Sequence, residues 1–286
     1  MQPCIAVTTR TVWFCMSLLI VGVGVQSLPV TADAQEARER SSFTIGAFIT
    51  DRRSIARLDS NQGQGTDIDL EQDLGLETST TVARIGGYYW ITPRHRLDFS
   101  LFDLSRTSKT KQIDRTINFG DEVFNINAAV SSETDLTILK TAYTFSMLDR
   151  DRGFLGITAG LYVASTSLSL SEATRGTAKS EDFIAPLPVI GLRGEYEITD
   201  KITLRGAGEW FRIDTGNVSG SLNDIYVGVD YGFNERMAVG LAYNDVSMSI
   251  TYDDVSMNIG ASETGGFEGE LDWRYDGFLL YIKFDF

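Results

Sequence analysis

The chain has 286 residues, with 25 Lys and Arg against 39 Asp and Glu, a net charge of −14 and a single histidine. That acidity argues against nucleic acid or anionic lipid as an electrostatic partner. Both cysteines, Cys4 and Cys15, lie near the N-terminus, so the remaining chain has no material for a disulfide, a thiolate metal site or a cysteine nucleophile.

Residues 1–34 read as a cleaved secretory signal peptide. Arg10 precedes the apolar run "TVWFCMSLLIVGVGV" (11–25), and Ala32 and Ala34 stand in the small-x-small arrangement of a cleavage site. The run falls short of the ~20 apolar residues that a spanning helix needs. Cleavage after Ala34 removes both cysteines and leaves the charge at −14, because Arg10 and Asp33 cancel. Residues 35–41 are then a short periplasmic segment, and 42–286 form one domain.

From residue 42 onward the dominant period is two, the spacing of a strand whose faces differ. Leu155, Ile157, Ala159, Leu161 and Val163 share one face. Ile225, Val227, Val229, Tyr231 and Phe233 share another, and Met237, Val239, Leu241 and Tyr243 repeat the pattern. No segment shows helical spacing. Short polar turns fall at 92–95, 149–153, 199–201 and 234–236, and longer acidic connections near 51–80, 118–133, 170–182, 214–221 and 251–270. Together they predict ten strands, at 42–51, 81–91, 96–115, 134–147, 154–169, 184–198, 202–213, 222–233, 236–250 and 271–286. Eight strands would require two of the clearer segments to fail, and twelve would require a second unread one. Within the first long connection, "TDIDLEQDLGL" (66–76) has an alternation of its own and is expected to form a loop strand or to fold inward and narrow the pore.

The faces opposite the apolar stripes carry Arg84, Asp98, Lys140, Arg193, Glu195, Glu197, Arg205, Glu209, Asp230, Lys283 and Asp285. An apolar outside around a charged inside is stable only where the outside is lipid, and closure into a barrel is how strands pair every backbone polar group there. The fold class is therefore all-β, an antiparallel transmembrane barrel. Alternating short and long connections place the termini and tight turns in the periplasm and the long loops outside the cell.

The last strand has Phe278, Leu280, Ile282, Phe284 and Phe286 on one face. Nine residues at ~3.3 Å rise cover ~27 Å along the strand, enough when tilted for most of an apolar band ~25 Å tall. A terminal strand that alternates in this way and ends on Phe resembles the C-terminal signal of bacterial outer-membrane β-barrels. Among these the small OmpA-like and OmpW-like barrels are the nearest groups. The resemblance implies that Phe286 is an assembly signal as well as a lipid-facing side chain. Its implied partners are outer-membrane lipid and lipopolysaccharide, the barrel-assembly machinery and periplasmic chaperones.

Catalysis fares poorly against the same residues. Enzymatic barrels of this class resemble lipid hydrolases with a Ser/His pair or ten-stranded surface proteases with acids and a His at the outer rim. Both need a titrating imidazole, and the one histidine, His95, falls in the tight turn "TPRH", far from that rim. The acids of 251–270 match no cation-binding loop and read as solvated. No metal or cofactor is expected. The five basic and six acidic inward residues nearly balance, as ion pairing in a filled lumen requires, since buried unpaired charge costs several kcal/mol. The alternative is a narrow, charge-lined channel for ions or small solutes.

Overall fold

A computed structural model describes residues 40–59, 65–172, 174–216, 218–255 and 267–286. The expected signal peptide lies outside the described residues. Ten long strands wind in chain order: β1 Ser41–Leu58, β2 Ser79–Thr92, β3 His95–Asp103, β4 Ala129–Arg150, β5 Gly153–Glu172, β6 Thr177–Thr199, β7 Ile202–Asp214, β8 Val218–Asn234, β9 Met237–Val255 and β10 Phe267–Asp285. Each strand pairs antiparallel with its chain neighbours. The sheet closes where β10 meets β1, in register from Ser42↔Asp285 to Leu58↔Gly269. All ten expected strands are present in one closed barrel.

Every strand except β3 is longer than expected, and the extra length shows how the barrel is built. Over the half nearest the tight turns, outward residues are apolar and well exposed, as with Ile49 at 51%, Leu241 at 49% and Phe278 at 55%. Further along, the phase inverts. The outward series passes from Ile49 to Asp51 and Arg53 on β1, from Phe278 to Asp276 and Arg274 on β10, and from Tyr243 to Asp245 and Ser247 on β9. The inversion keeps register between neighbours, since Ile49 and Tyr243 both pair with Phe278 while Asp51 and Asp245 both pair with Asp276. On β4 and β5 it falls between Leu139 and Thr137 and between Val163 and Ser165, again as direct pairs.

Beyond this boundary the inward face turns apolar. Val246, Met248 and Ile250 on β9, Trp273 and Tyr275 on β10, and Leu168 and Leu170 on β5 are all buried. Apolar residues face lipid in one half and face each other in the other half, as water outside the wall demands. The stretches 170–182 and 214–221, expected as long loops, are mostly strand: β5 runs to Glu172, β6 starts at Thr177, β7 runs to Asp214 and β8 starts at Val218. Their outward Ser171 and Ser180 look like loop residues in sequence because that part of the wall faces water.

The expected strand 96–115 is also broken. β3 ends at Asp103, whose carboxylate accepts the Ser105 N–H at 3.0 Å, and pairing with β4 resumes at Arg106–Gln112. β2 begins only at Ser79, so β1 loses that neighbour beyond Asp51. The segment from Ile68 fills the place, pairing Ile68 and Asp69 with Ala56 and Ile55. It is a short strand that then turns inward, both outcomes that its sequence allowed.

Candidate functional site

The inward-facing charges of the lipid-facing half converge on one girdle across the lumen. Lys140 on β4 lies 2.5 Å from Glu209 Oε2 on β7 and 2.8 Å from Asp224 Oδ2 on β8. Arg193 on β6 meets the other Glu209 oxygen at 2.9 Å and approaches Asp98 at 3.7 Å. Arg96 on β3 joins Asp98 at 2.7 Å to Glu195 at 2.6 Å. Arg205 carries the chain from Glu195 at 3.0 Å to Asp230 at 3.5 Å, and the Tyr281 hydroxyl donates to Asp230. On the opposite flank Asn244 donates to Asp224 at 2.6 Å and accepts from Arg84 at 2.7 Å, and Arg84 also donates to Ser100 at 2.9 Å. Arg205 Nη2 and Glu209 Oε2 meet their partners at ion-pair distance but without hydrogen-bond alignment.

Arg84, Asp98, Lys140, Arg193, Glu195, Arg205, Glu209 and Asp230 thus share one network. Lys283 pairs with Asp285 at 2.8 Å and sits over the Tyr88 ring at 5.9 Å, toward the tight turns. Glu197 keeps the period of Arg193 and Glu195 but is exposed near the tight-turn end, outside the packed girdle.

Three members were missed, although the period-two rule covers each. Arg96 shares an inward face with Asp98 but adjoins the "TPRH" turn, and its burial comes from Tyr88, whose ring its guanidinium covers at 3.9 Å. Asp224 lies on the face of Tyr226 and Asp230, and Asn244 on the face of Ala242 and Val246. With them included, six cations (Arg84, Arg96, Lys140, Arg193, Arg205, Lys283) face six carboxylates (Asp98, Glu195, Glu209, Asp224, Asp230, Asp285). The inward charge is balanced, as burial in a low dielectric requires. A cavity of about 100 Å³ remains among them, with Arg96, Asp98, Arg193, Glu195, Arg205 and Tyr281 on its walls beside Phe99 and Leu279.

Above the girdle Phe48, Phe102 and Tyr275 form a layer of edge-to-face rings with centroids 5.7 to 6.0 Å apart. Beyond them two connections pack together at the far mouth as a cap. Ile68, Leu70, Leu74 and Leu76 of the first connection pack with Ile113, Ile117, Phe119 and Phe124 of the next, and all eight are 3% exposed or less. Glu71 fixes this cap to the wall, accepting from Arg106 at 2.6 Å and from the Ser54 N–H at 2.9 Å. Arg52 donates nearby to the Leu104 carbonyl at 2.6 Å. Burial and the Arg106 charge lower the Arg52 pKa to about 10.

His95 is remote from all of this. It lies on the outer surface beside the tight turn, bonded to the Tyr143 hydroxyl and flanked by Phe145 at 5.4 Å between centroids. Among the described residues no group of three or more Asp, Glu or His side chains is arranged to hold a metal ion. On the last strand Phe278, Leu280, Ile282 and Phe286 are exposed outward and Phe284 partly so, and the Phe286 N–H donates to the Ser41 carbonyl at 2.9 Å across the closure.

No family model matches the chain, and no curated protein matches it. Solved structures do. The outer membrane protease OmpT of Escherichia coli aligns over 91% of this chain and 99% of its own at TM-score 0.53 and 12% identity. Ail, the attachment invasion locus protein of Yersinia pestis, aligns over 87% and 100% at TM-score 0.37 and 8% identity. A FadL homologue of Pseudomonas aeruginosa aligns over 86% and 90% at TM-score 0.37 and 10% identity. The first likeness establishes the architecture, that of an outer-membrane β-barrel; at such identity it transfers no activity.

Proposed function

We propose that this chain is an integral barrel of the Gram-negative outer membrane whose lumen is closed and whose role is structural or one of surface interaction. The observation that carries the reading is double closure: a charge-balanced girdle at membrane depth and an apolar cap over the far mouth. The tight turns and both termini face the periplasm, and the half with a polar outer wall stands in water outside the cell, in contact with lipopolysaccharide at its base. Phe278, Leu280, Ile282, Phe284 and Phe286 are the signal read by the assembly machinery after delivery by periplasmic chaperones. The chain is not an enzyme in this reading, since its one imidazole is outside the barrel and at the end opposite the cap.

The cavity within the girdle, with charged side chains on its walls, favours a second reading, a narrow passage for ions. Single-channel recording on residues 35–286 in planar bilayers separates the two. The closed barrel is silent, and the Arg205→Ala/Glu209→Ala variant conducts. Steady, ion-selective steps from the native protein would overturn closure and make the girdle a filter.

A further inference from the structure

Beneath the cap, the half of the barrel beyond the polarity inversion is not completely filled. A cavity of about 70 Å³ lies between wall and cap, bounded by Ala56, Leu58, Leu70, Phe119, Leu168 and Trp273. Of the charged residues on its wall, Arg57 pairs with Asp59 at 2.9 Å and Glu181 with Lys179 at 2.7 Å, while Glu270 is hydrogen-bonded to Asp272. The Thr134 hydroxyl, also on its wall, already donates to the Ser167 carbonyl at 3.1 Å. Water needs two to four polar partners to occupy such a space, and the unpaired Trp273 Nε1–H supplies only one. An empty apolar space leaves its lining without contacts that a guest would restore.

We infer that this chamber binds one small, uncharged, apolar molecule, a ligand function beyond the closed-barrel reading. The chemistry selects the class. A charged or strongly polar guest would lose its hydration with nothing to replace it, whereas a hydrocarbon, a short alkyl compound or a single unsubstituted ring loses nothing. Size sets the limit. An engineered apolar cavity of ~150 Å³ holds benzene, so a ring enters this smaller one only as the cap side chains Leu70 and Phe119 give way. Entry is through the cap and not along the lumen, which the girdle blocks.

The test uses the full refolded barrel with xenon and benzene as probes. Crystals pressurised with xenon should show an anomalous peak bounded by Leu70, Leu168 and Trp273. Benzene should perturb Trp273 fluorescence in a variant whose Trp90 and Trp210 are Phe. On that background Ala56→Leu fills the chamber and should abolish both signals, while Leu168→Ala enlarges it and should tighten benzene at least tenfold. Retained heat-modifiable migration on gels shows that each variant is folded. If Leu168→Ala does not refold, the native protein and Ala56→Leu decide between them. A native barrel that takes up neither probe overturns the inference, as does binding unchanged by Ala56→Leu. Xenon without benzene in the native and enlarged forms leaves a packing void only and overturns it as well. None of these results bears on closure, which the bilayer recording tests separately.

Discussion

Lys140→Met is the sharpest test of whether the girdle is dry. Lys140 is 7% exposed and its ammonium is shared between Glu209 and Asp224, themselves 2% and 3% exposed. Removing one partner of a buried ion pair costs roughly 3–5 kcal/mol, because the remaining charge is left uncompensated. Here each carboxylate keeps one donor, Arg193 for Glu209 and Asn244 for Asp224, so the low end applies. About 3 kcal/mol is roughly a hundredfold in the folded-to-unfolded ratio. Arg274→Ala removes the Arg274–Asp245 pair on the outer wall at 3.0 Å, with side chains 60% and 29% exposed, and should cost about 0–1 kcal/mol. Removing one acid with the lysine, as Lys140→Met/Asp224→Asn, should recover most of the loss, because five cations then face five carboxylates, Glu209 keeps Arg193, and a neutral pair replaces a buried ion pair at little cost. Urea titration of the barrel in lipid vesicles, followed by tryptophan emission, gives the comparison. Equal small losses for Lys140→Met and Arg274→Ala would refute the argument, for they would mean that water already fills the lumen and solvates its carboxylates.

Two further perturbations address the wall and its closure. At Gly240 an added Cβ would lie 2.1 Å from Tyr281 Cζ, and the Tyr281 hydroxyl is held by Asp230 and Tyr226. Gly240→Ala should therefore lose about 1–3 kcal/mol through overpacking, and adding Tyr281→Ala should abolish its incremental cost in the same urea assay. Phe286→Ala should leave the refolded barrel about as stable as native, because the ring is 75% exposed, yet should lower the amount assembled in cells; equal assembly on fractionated membranes would remove the signal role.

Strand number and direction of closure were legible in the sequence because lipid imposes a rigid alternation: Phe278, Leu280 and Ile282 face outward, and Tyr281 and Lys283 cannot. The lengths were not legible, because above the boundary the pattern persists with its phase reversed. Asp272, Arg274 and Asp276 occupy the same outward series as Phe278, and a reader who tracks hydrophobicity alone stops at the boundary and calls the rest a loop. The inversion is visible afterwards in "YNDVSMSI", where apolar residues pass from odd positions, ending at Tyr243, to even ones from Val246. The girdle was partly legible, since its members obey the same period, but partners came from distant strands. Nothing local joins Lys140 to Asp224, 84 positions away. The cap was legible only in its first half. The alternation within 66–76 allowed an inward fold, which the shortness of β2 admits beside β1, but nothing marked Ile113, Ile117, Phe119 and Phe124 as its other half.

The inversion also explains why the two halves of one lumen are packed differently. In the lipid-facing half the outer wall is apolar of necessity, so polar side chains can go only inward, and a narrow interior must pair them. Burial from water contributes little there, because lipid is already apolar; closed backbone pairing and the girdle hold that half. In the other half water surrounds the wall, and the ordinary hydrophobic effect drives Val246, Leu168, Trp273 and the cap into a common core. A core of this kind needs a lid wherever the wall ends, and the segments from Ile68 and Ile113 provide one. Glu71 then meets a specific demand: two buried guanidiniums, Arg52 and Arg106, stand beside the place where the lid must land. The carboxylate makes the lid electrostatically, as well as sterically, complementary to its seat.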